Sequence, residues 1–184
     1  PAAPYQPYIS ESTEKAYDLA SNGASQGSLL KTVVTETTYD DNGSGTSYGN
    51  VDWIEVTTTG DSHTYVTETN NTYGSSVWEK TAGRLTLAVV DTSRDGATPV
   101  TRTSEFEYYT QGQGGLLKKE IIEPNNSAYT LTTEYGYDTY GNKTSATVSG
   151  SGVVSRTTSS TYEDGRYPKA SINANGHTVS EVLA

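Results

Sequence analysis

The feature that most constrains this chain is a recurring unit in which a Thr-rich run ends at an aromatic residue, a turn-forming segment follows, and a glycine opens the next run. The closing aromatics are Tyr17, Tyr39, Tyr73, Tyr108, Tyr137 and Tyr162, and the glycines that follow them are Gly27, Gly49, Gly83, Gly115, Gly141 and Gly165. Six units align in this way. A repeat of this kind indicates a small unit that is stable only when it packs against its neighbours.

Within a unit, apolar and polar side chains alternate with a period of two. In the run 100–108, Phe106 and Tyr108 fall on one face and Glu105 and Glu107 on the other, a pattern typical of a strand with one packed face and one wet face. Turn sequences such as Asp95-Gly96 separate the runs. The sequence therefore predicts an all-β fold, an antiparallel hairpin meander of about ten to twelve strands in a curved or spiralling sheet.

Three prolines near the start of the chain set a boundary. Pro1, Pro4 and Pro7 cannot donate to a strand ladder, so residues 1–15 are expected to form an extended N-terminal arm and residues 16–184 the sheet domain. Because the chain opens at Pro1 and contains no Met, we expect a processed product or an excised segment.

Composition excludes several functional classes. The 12 Lys and Arg against 22 Asp and Glu give a net charge of −10, which disfavours nucleic acid as a partner. No stretch is apolar enough for membrane insertion. The absence of cysteine excludes disulfides, thiolate nucleophiles and Cys-ligated zinc, and we expect no cofactor. The 15 tyrosines favour a folded β protein over a disordered acidic chain.

Two motifs near the C-terminus are more specific than the general pattern. Residues 137–142 read Tyr-Asp-Thr-Tyr-Gly-Asn, and residues 161–168 read Thr-Tyr-Glu-Asp-Gly-Arg-Tyr-Pro, followed by Asn-Ala-Asn-Gly-His-Thr at 173–178. The first fits Y-D-x-x-G-[RN] position by position, and the last fits N-x-x-G-H-T. These units resemble the YD repeats of the Rhs family, which occur in bacterial polymorphic toxins, insecticidal toxin-complex shell proteins and animal teneurins.

The resemblance implies a long antiparallel sheet that encloses a toxin domain or forms a rigid extracellular scaffold. The chain would then be a non-catalytic structural segment of a secreted or surface protein, paired through edge strands with neighbouring repeat segments or identical chains. Its structural repeat residues would be Tyr39, Tyr73, Tyr108, Tyr137, Asp138, Gly141, Asn142, Tyr162, Gly165, Arg166, Gly176 and His177. Tyrosine rings of successive reversals would stack, and their hydroxyls would bond to water or backbone.

A carbohydrate-binding or adhesive module is the alternative, in which Trp53 and Trp78 would stack on the rings of a surface glycan. A glycosidase that uses Glu105 and Glu107 ranks third, because catalytic carboxylates normally flank the substrate from separate elements. The only two histidines, His63 and His177, are far apart in sequence and give little support for a metal or catalytic site.

Two segments resemble the start of a calcium loop, because oxygen-bearing side chains alternate before a glycine. The candidate ligands are Asp40 and Asn42 in the first segment and Asp91 and Asp95 in the second. Neither segment has the bidentate glutamate at position twelve, where Val51 and Arg102 stand instead. A polar hairpin turn is therefore the preferred interpretation, and no metal is expected.

Overall fold

The computed structural model describes residues 8–19, 27–39, 49–76, 82–110 and 114–180. These residues form twelve strands and no helix. The strands are β1 (Glu11–Tyr17), β2 (Leu29–Tyr39), β3 (Val51–Gly60), β4 (His63–Tyr73), β5 (Leu85–Arg94), β6 (Val100–Tyr108), β7 (Leu117–Ile122), β8 (Leu131–Tyr137), β9 (Lys143–Gly150), β10 (Val153–Glu163), β11 (Tyr167–Ile172) and β12 (Thr178–Ser180). Their order in the sheet is their order in the chain. The predicted all-β antiparallel meander is confirmed.

The chain divides into two compact units. The first consists of residues 1–72 and 89–102, and the second of residues 73–88 and 103–184. In the first unit, β1 to β4 pair in sequence, each antiparallel to the next. In the second unit, β6 to β12 pair in the same way. Each unit is therefore built from contacts that are local in sequence.

Several of the described reversals occur at turn sequences that the pattern predicts, and one occurs where the pattern gave no turn. Asp61 and Ser62, with φ of 50° and 63°, connect β3 to β4 in the left-handed geometry that matches the twist of a hairpin. Asp95 and Gly96 have φ of 52° and 73° at the end of β5. Residues 124–125, 151–152 and 174–175 also form turns. The turn chemistry of the sequence thus fixes where the chain reverses.

The sheet begins earlier in the chain than the proline pattern predicts. Strand β1 starts at Glu11, so residues 11–15 of the expected arm lie in the sheet, while residues 8–10 precede it and residues 1–7 lie outside the described residues. The prolines end at Pro7, and the segment after them keeps a backbone N–H at every position. It can therefore pair with β2 along its whole length.

The two faces of the sheet differ less than the alternating sequence predicts. In β9, the exposed Lys143 is followed by seven half-buried residues, so side chains of both faces are covered to a similar degree. Among the described residues no hydrophobic side chain is buried. The expectation of a packed face is therefore not met in the described part of the chain.

Four glutamates form a row across the first unit. Glu11 lies opposite Glu36, Glu36 opposite Glu55, and Glu55 opposite Glu68, on four adjacent strands. Directly opposite Cβ atoms in such pairs are about 4.5–5.5 Å apart, and like charges there are destabilising. Polar neighbours offset part of this repulsion, since Thr57 donates to Glu55 at 3.1 Å and Asn70 donates to Glu68 at 2.8 Å.

Neutralising one of the inner carboxylates should stabilise the protein. We expect Glu36→Gln to raise the free energy of unfolding by roughly 0.2–1 kcal/mol at low ionic strength, because it removes two like-charge pairs. Urea unfolding measures the change. The matched control is Glu14→Gln, since Glu14 lies on the neighbouring strand β1 opposite the uncharged Val33. Equal effects of the two substitutions, or a gain that persists at high salt, would contradict the repulsion.

Candidate functional site

Four of the repeat tyrosines make the same hydrogen bond. Each stands at or near the end of an even-numbered strand, and its hydroxyl donates to a backbone carbonyl at or near the start of the preceding odd-numbered strand. The bonds are Tyr39 to Ile9 (3.0 Å), Tyr108 to Leu85 (2.7 Å), Tyr137 to Leu117 (2.8 Å) and Tyr162 to Lys143 (3.3 Å). We call these four residues the tyrosine row. Tyr73 likewise ends an even-numbered strand, β4.

A β-bulge accompanies each residue of the tyrosine row. The register between its strand and the following strand shifts immediately before the tyrosine, at Tyr39, Tyr108, Tyr137 and Tyr162. A bulge inserts an unpaired residue, bends the strand and re-aims the side chain. The tyrosine therefore stands where the ladder to the next strand is irregular, and its hydroxyl adds a bond to the preceding strand.

The glycines of the repeat have a fixed position relative to the strands. Each lies two residues before the first residue of a strand, as in Gly141 before β9 and Gly165 before β11. Five of the six have positive φ: Gly49 (71°), Gly83 (70°), Gly115 (71°), Gly141 (88°) and Gly165 (67°). Only glycine reaches this region without a steric penalty. The glycines aligned from the sequence therefore mark positions where the backbone needs a positive φ.

The first aligned tyrosine is out of phase with the others. Tyr17 ends β1, an odd-numbered strand, and pairs with Leu29 at the start of β2. Because β1 and β2 are antiparallel, Tyr17 and Tyr39 lie at opposite ends of this strand pair. The sequence alignment treated both as equivalent, since each ends a run before a turn, but the period of the structure is two strands.

Asp138 organises the turn between β8 and β9. One carboxylate oxygen accepts the backbone N–H groups of Tyr140 and Asn142, both at 2.9 Å, and the other accepts the Asn142 side-chain amide at 2.9 Å. The amide of Asn142, followed by these backbone donors, holds the pKa of the Asp138 carboxyl below its usual value. Since the folded-state pKa is lowered, the turn is favoured while Asp138 is ionised, and this contribution is lost as the pH falls through that pKa.

The turn between β11 and β12 repeats this geometry with an uncharged residue. Asn173 takes the place of Asp138, and its side-chain oxygen accepts the backbone N–H groups of Asn175 and His177, both at 3.0 Å. Gly176 has a φ of 81°. The ring of the exposed His177 lies 3.2 Å from the Asn173 amide nitrogen. The segments 137–142 and 173–178 thus contain one turn type at two places.

Successive turns of the second unit contact each other. The side-chain amide of Asn142 donates to the carbonyl of Gly165 at 2.8 Å, and the Tyr140 ring covers Gly165 so closely that a Cβ atom there would lie 2.5 Å from its Cε2. Arg166 is exposed, and its backbone N–H closes the turn on Glu163. Sequence reasoning missed Tyr140, which occupies a variable position of the motif. Its place three residues before β9 was the available signal.

The rings of the tyrosine row do not form the stack that the sequence suggested. No two members of the row are in ring contact with each other, and strands two apart in a sheet are separated by about 9.5 Å. Tyr137 instead contacts Tyr109 edge to face at 6.1 Å, and Tyr39 contacts Tyr8 at 4.4 Å. The prediction that the hydroxyls bond to backbone is confirmed for all four. Burial raises the pKa of Tyr108 and Tyr137, which keeps the donating proton in place.

Of the residues proposed for carbohydrate and calcium binding, the structure describes Trp53, Asp91 and Asp95. Trp53 lies half-buried on β3 opposite Thr38 and Asn70, whereas Trp78, Asp40 and Asn42 lie outside the described residues. Asp91 is part of β5 and accepts the hydroxyl of Thr101. The described part of the chain contains no cluster of three or more His, Cys, Asp or Glu side chains suited to a metal ion.

Asp95 is engaged by protein groups. Its carboxylate accepts the backbone N–H of Thr64 and bonds to His63 Nδ1, both at 2.8 Å, and Arg94 lies 3.3 Å away. The Thr64 N–H, and then His63, lower the pKa of this carboxyl. Glu107, considered above as a glycosidase carboxylate, pairs with Lys118 and Lys119 at 3.4 and 3.7 Å. These carboxylates stabilise strand ends and strand pairs.

Comparison with known proteins gives no relative: no family model matches the chain, and no curated protein is significantly similar to it. Among the described residues no helix has the length and apolar character needed to cross a membrane.

Removing one hydroxyl of the tyrosine row should destabilise the protein. We expect Tyr137→Phe to lower the free energy of unfolding by about 1 kcal/mol, because the bond to the Leu117 carbonyl is lost while the ring is kept. Urea unfolding measures the loss. The control is Tyr129→Phe, since the Tyr129 side chain is 70% exposed. If both variants unfold at the same urea concentration as the parent, the hydroxyl bond contributes nothing.

The contact between the two turns should appear as coupling between Tyr140 and Gly165. We expect Gly165→Ala to destabilise more than Gly152→Ala, although both glycines have nearly the same φ, 67° and 68°. The left-handed backbone costs each alanine about 1–2 kcal/mol. Only at position 165 does the new Cβ meet a ring, since nothing lies within 4 Å at Gly152.

The double variant Gly165→Ala/Tyr140→Ala isolates the steric term. Removing the ring should bring the cost of Gly165→Ala down to that of Gly152→Ala in a double-mutant cycle of unfolding free energies. Additive effects of the two substitutions would show that the ring and the glycine are energetically independent.

Proposed function

We propose that this chain is a non-catalytic structural segment of a Rhs/YD-repeat protein, secreted or held at the cell surface. The observation that carries the proposal is the recurrence of one arrangement along the chain. A tyrosine hydroxyl donates to a carbonyl at or near the start of the preceding strand, a bulge lies at the tyrosine, and a glycine stands two residues before the next strand. The Y-D-x-x-G-[RN] segment, 137–142, is the part of the chain in which motif and geometry correspond most fully.

The contacts of the repeat are suited to a scaffold. Asp138 bonds within its own turn, the tyrosine row bonds to the preceding strand, and the Asn142 side chain bonds to the turn at Gly165. In such an array, stability is approximately a sum of unit and neighbour contributions. Each hairpin then serves mainly to hold the following one.

The partners of such a segment would be neighbouring repeat segments or identical chains, with an enclosed toxin domain as a further possibility for the parent protein. In the described sheet, β1 and β12 stand at the two ends of the strand order, and all of their residues are exposed. End strands carry N–H and C=O groups that can pair with another strand. Addition of a strand at these ends is the association that the proposal requires.

The alternative, a carbohydrate-binding or adhesive module, depends on the tryptophans. Trp53 has the polar neighbours Thr38 and Asn70, as expected beside a sugar-stacking ring, but it is half-buried on the strand. The scaffold is preferred because the aromatic residues with repeated positions are bonded to the protein itself.

Pairing through β1 can be tested by placing a proline where it leaves the hydrogen bonds between β1 and β2 intact. Thr37 N–H donates to the Ser10 carbonyl at 2.8 Å. Because bonding alternates along an antiparallel pair, the backbone N–H and C=O groups of Ser12 and Glu14 face β2, and the N–H of Thr13 points away from it. We expect the unsubstituted chain to associate reversibly as its concentration rises, as measured by light scattering. Thr13→Pro should reduce this association, because proline removes the outward donor.

Thr13→Val is the matched control, since it keeps the N–H and the size of the side chain, and it should associate like the parent. A parent chain that stays monomeric at high concentration would count against the scaffold. Selective retention on polysaccharide resin, lost in Trp53→Ala, would favour the carbohydrate-binding alternative.

A further inference from the structure

Among the described residues, a tyrosine side chain lies against a turn glycine at two places. Tyr140 stands three residues before β9, and its ring covers Gly165, which stands two residues before β11. Tyr8 stands three residues before β1, and the hydroxyl end of its side chain lies against Gly49, two residues before β3, with the ring carbon Cζ 3.1 Å from an ideal Cβ position. One odd-numbered strand thus supplies the ring and the next supplies the glycine.

The same position between β7 and β9 lacks a ring. The residue three before β7 is Gly114, which has no side chain. Apart from its chain neighbours, the described residue nearest to an ideal Cβ position at Gly141, two before β9, is Leu116, whose Cδ1 is 3.8 Å away. An open groove of about 660 Å³ lies between the turn at Gly114 and the turn at residues 138–141. Leu116, Tyr137 and Tyr140 contribute to its walls.

We propose that this groove binds the phenol ring of a tyrosine side chain presented by another polypeptide, with the ring lying over Gly141 as the Tyr140 ring lies over Gly165. The volume is in the range of ligand sites, which are mainly apolar with a few polar groups. The two internal examples show which chemical group fits beside a glycine of this turn. The groove lies on the turns, apart from the end strands, so this inference does not depend on the proposed scaffold role.

The polar groups of the groove favour an aromatic ring over a sugar. Three acceptor sites of the Asp138 carboxylate are occupied by protein donors, the N–H groups of Tyr140 and Asn142 and the Asn142 side-chain amide. The groove is also lined by the apolar Leu116 and by the aromatic residues Tyr137 and Tyr140. A planar apolar ring gains from these contacts, and offset or edge-to-face ring pairs add to the gain.

The test is an amide-resolved NMR titration of the intact chain with N-acetyl-L-tyrosinamide. We expect saturable shifts of the amide signals of Leu116, Thr139 and Gly141, and nuclear Overhauser contacts from the probe ring to the Gly141 α-protons. N-acetyl-L-leucinamide and methyl β-D-glucopyranoside are the matched probes and should give much smaller shifts at these residues. Shifts that are equal for all three probes, or that are spread over the sheet, would overturn the proposal.

A variant pair locates the site independently of the assignments. Leu116→Ala removes an apolar wall and should weaken binding of N-acetyl-L-tyrosinamide by roughly threefold or more. Leu29→Ala, on β2 in the other unit, should leave the affinity unchanged. Unchanged affinity in Leu116→Ala would place the probe elsewhere. If that variant does not fold, the Overhauser contacts in the parent chain decide the matter alone.

Discussion

The hydrogen bond between a strand-closing tyrosine hydroxyl and a carbonyl near the start of the preceding strand is the contact on which the rest of this architecture depends. It occurs where a bulge interrupts the ladder to the following strand, so the strand end gains a connection at the point where regular pairing is weakened. One such bond contributes about 1 kcal/mol. Its repetition matters because no hydrophobic side chain of the described residues is buried, and each unit therefore relies on contacts between adjacent strands.

The turns, like the strands, are held by side-chain hydrogen bonds to nearby backbone groups. Asp138 fixes one turn by accepting three hydrogen bonds. The side-chain amide of Asn142 in that turn donates to the carbonyl of Gly165 in the turn between β10 and β11. Tyr140 adds a ring contact in the same direction. The proposed scaffold role and the proposed tyrosine-binding groove both follow from this contact between a ring and a turn glycine. The scaffold has the contact where a ring is present, and the groove lies where Gly114 provides no side chain.

Charges occur both in rows and in pairs. In the first unit, Glu11, Glu36, Glu55 and Glu68 oppose one another across four strands, and Asp95 pairs with His63 and Arg94. In the second, Glu107 pairs with Lys118 and Lys119. A row of like charges costs stability, yet charge also discourages non-specific association of an exposed sheet. The acidic composition is therefore partly organised along the strands.

The sequence by itself determined the strand periodicity, the turn positions and the glycines with positive φ, because these depend on side-chain alternation and local backbone sterics that neighbouring residues set. It also indicated that Asp138 and Asn142 belong to one turn. Only the tertiary structure decided that Tyr17 is out of phase, that Tyr140 covers Gly165, and that both faces of β9 are half-buried. Those features depend on which strand lies beside which and in what register, and register joins residues that sequence spacing alone does not relate.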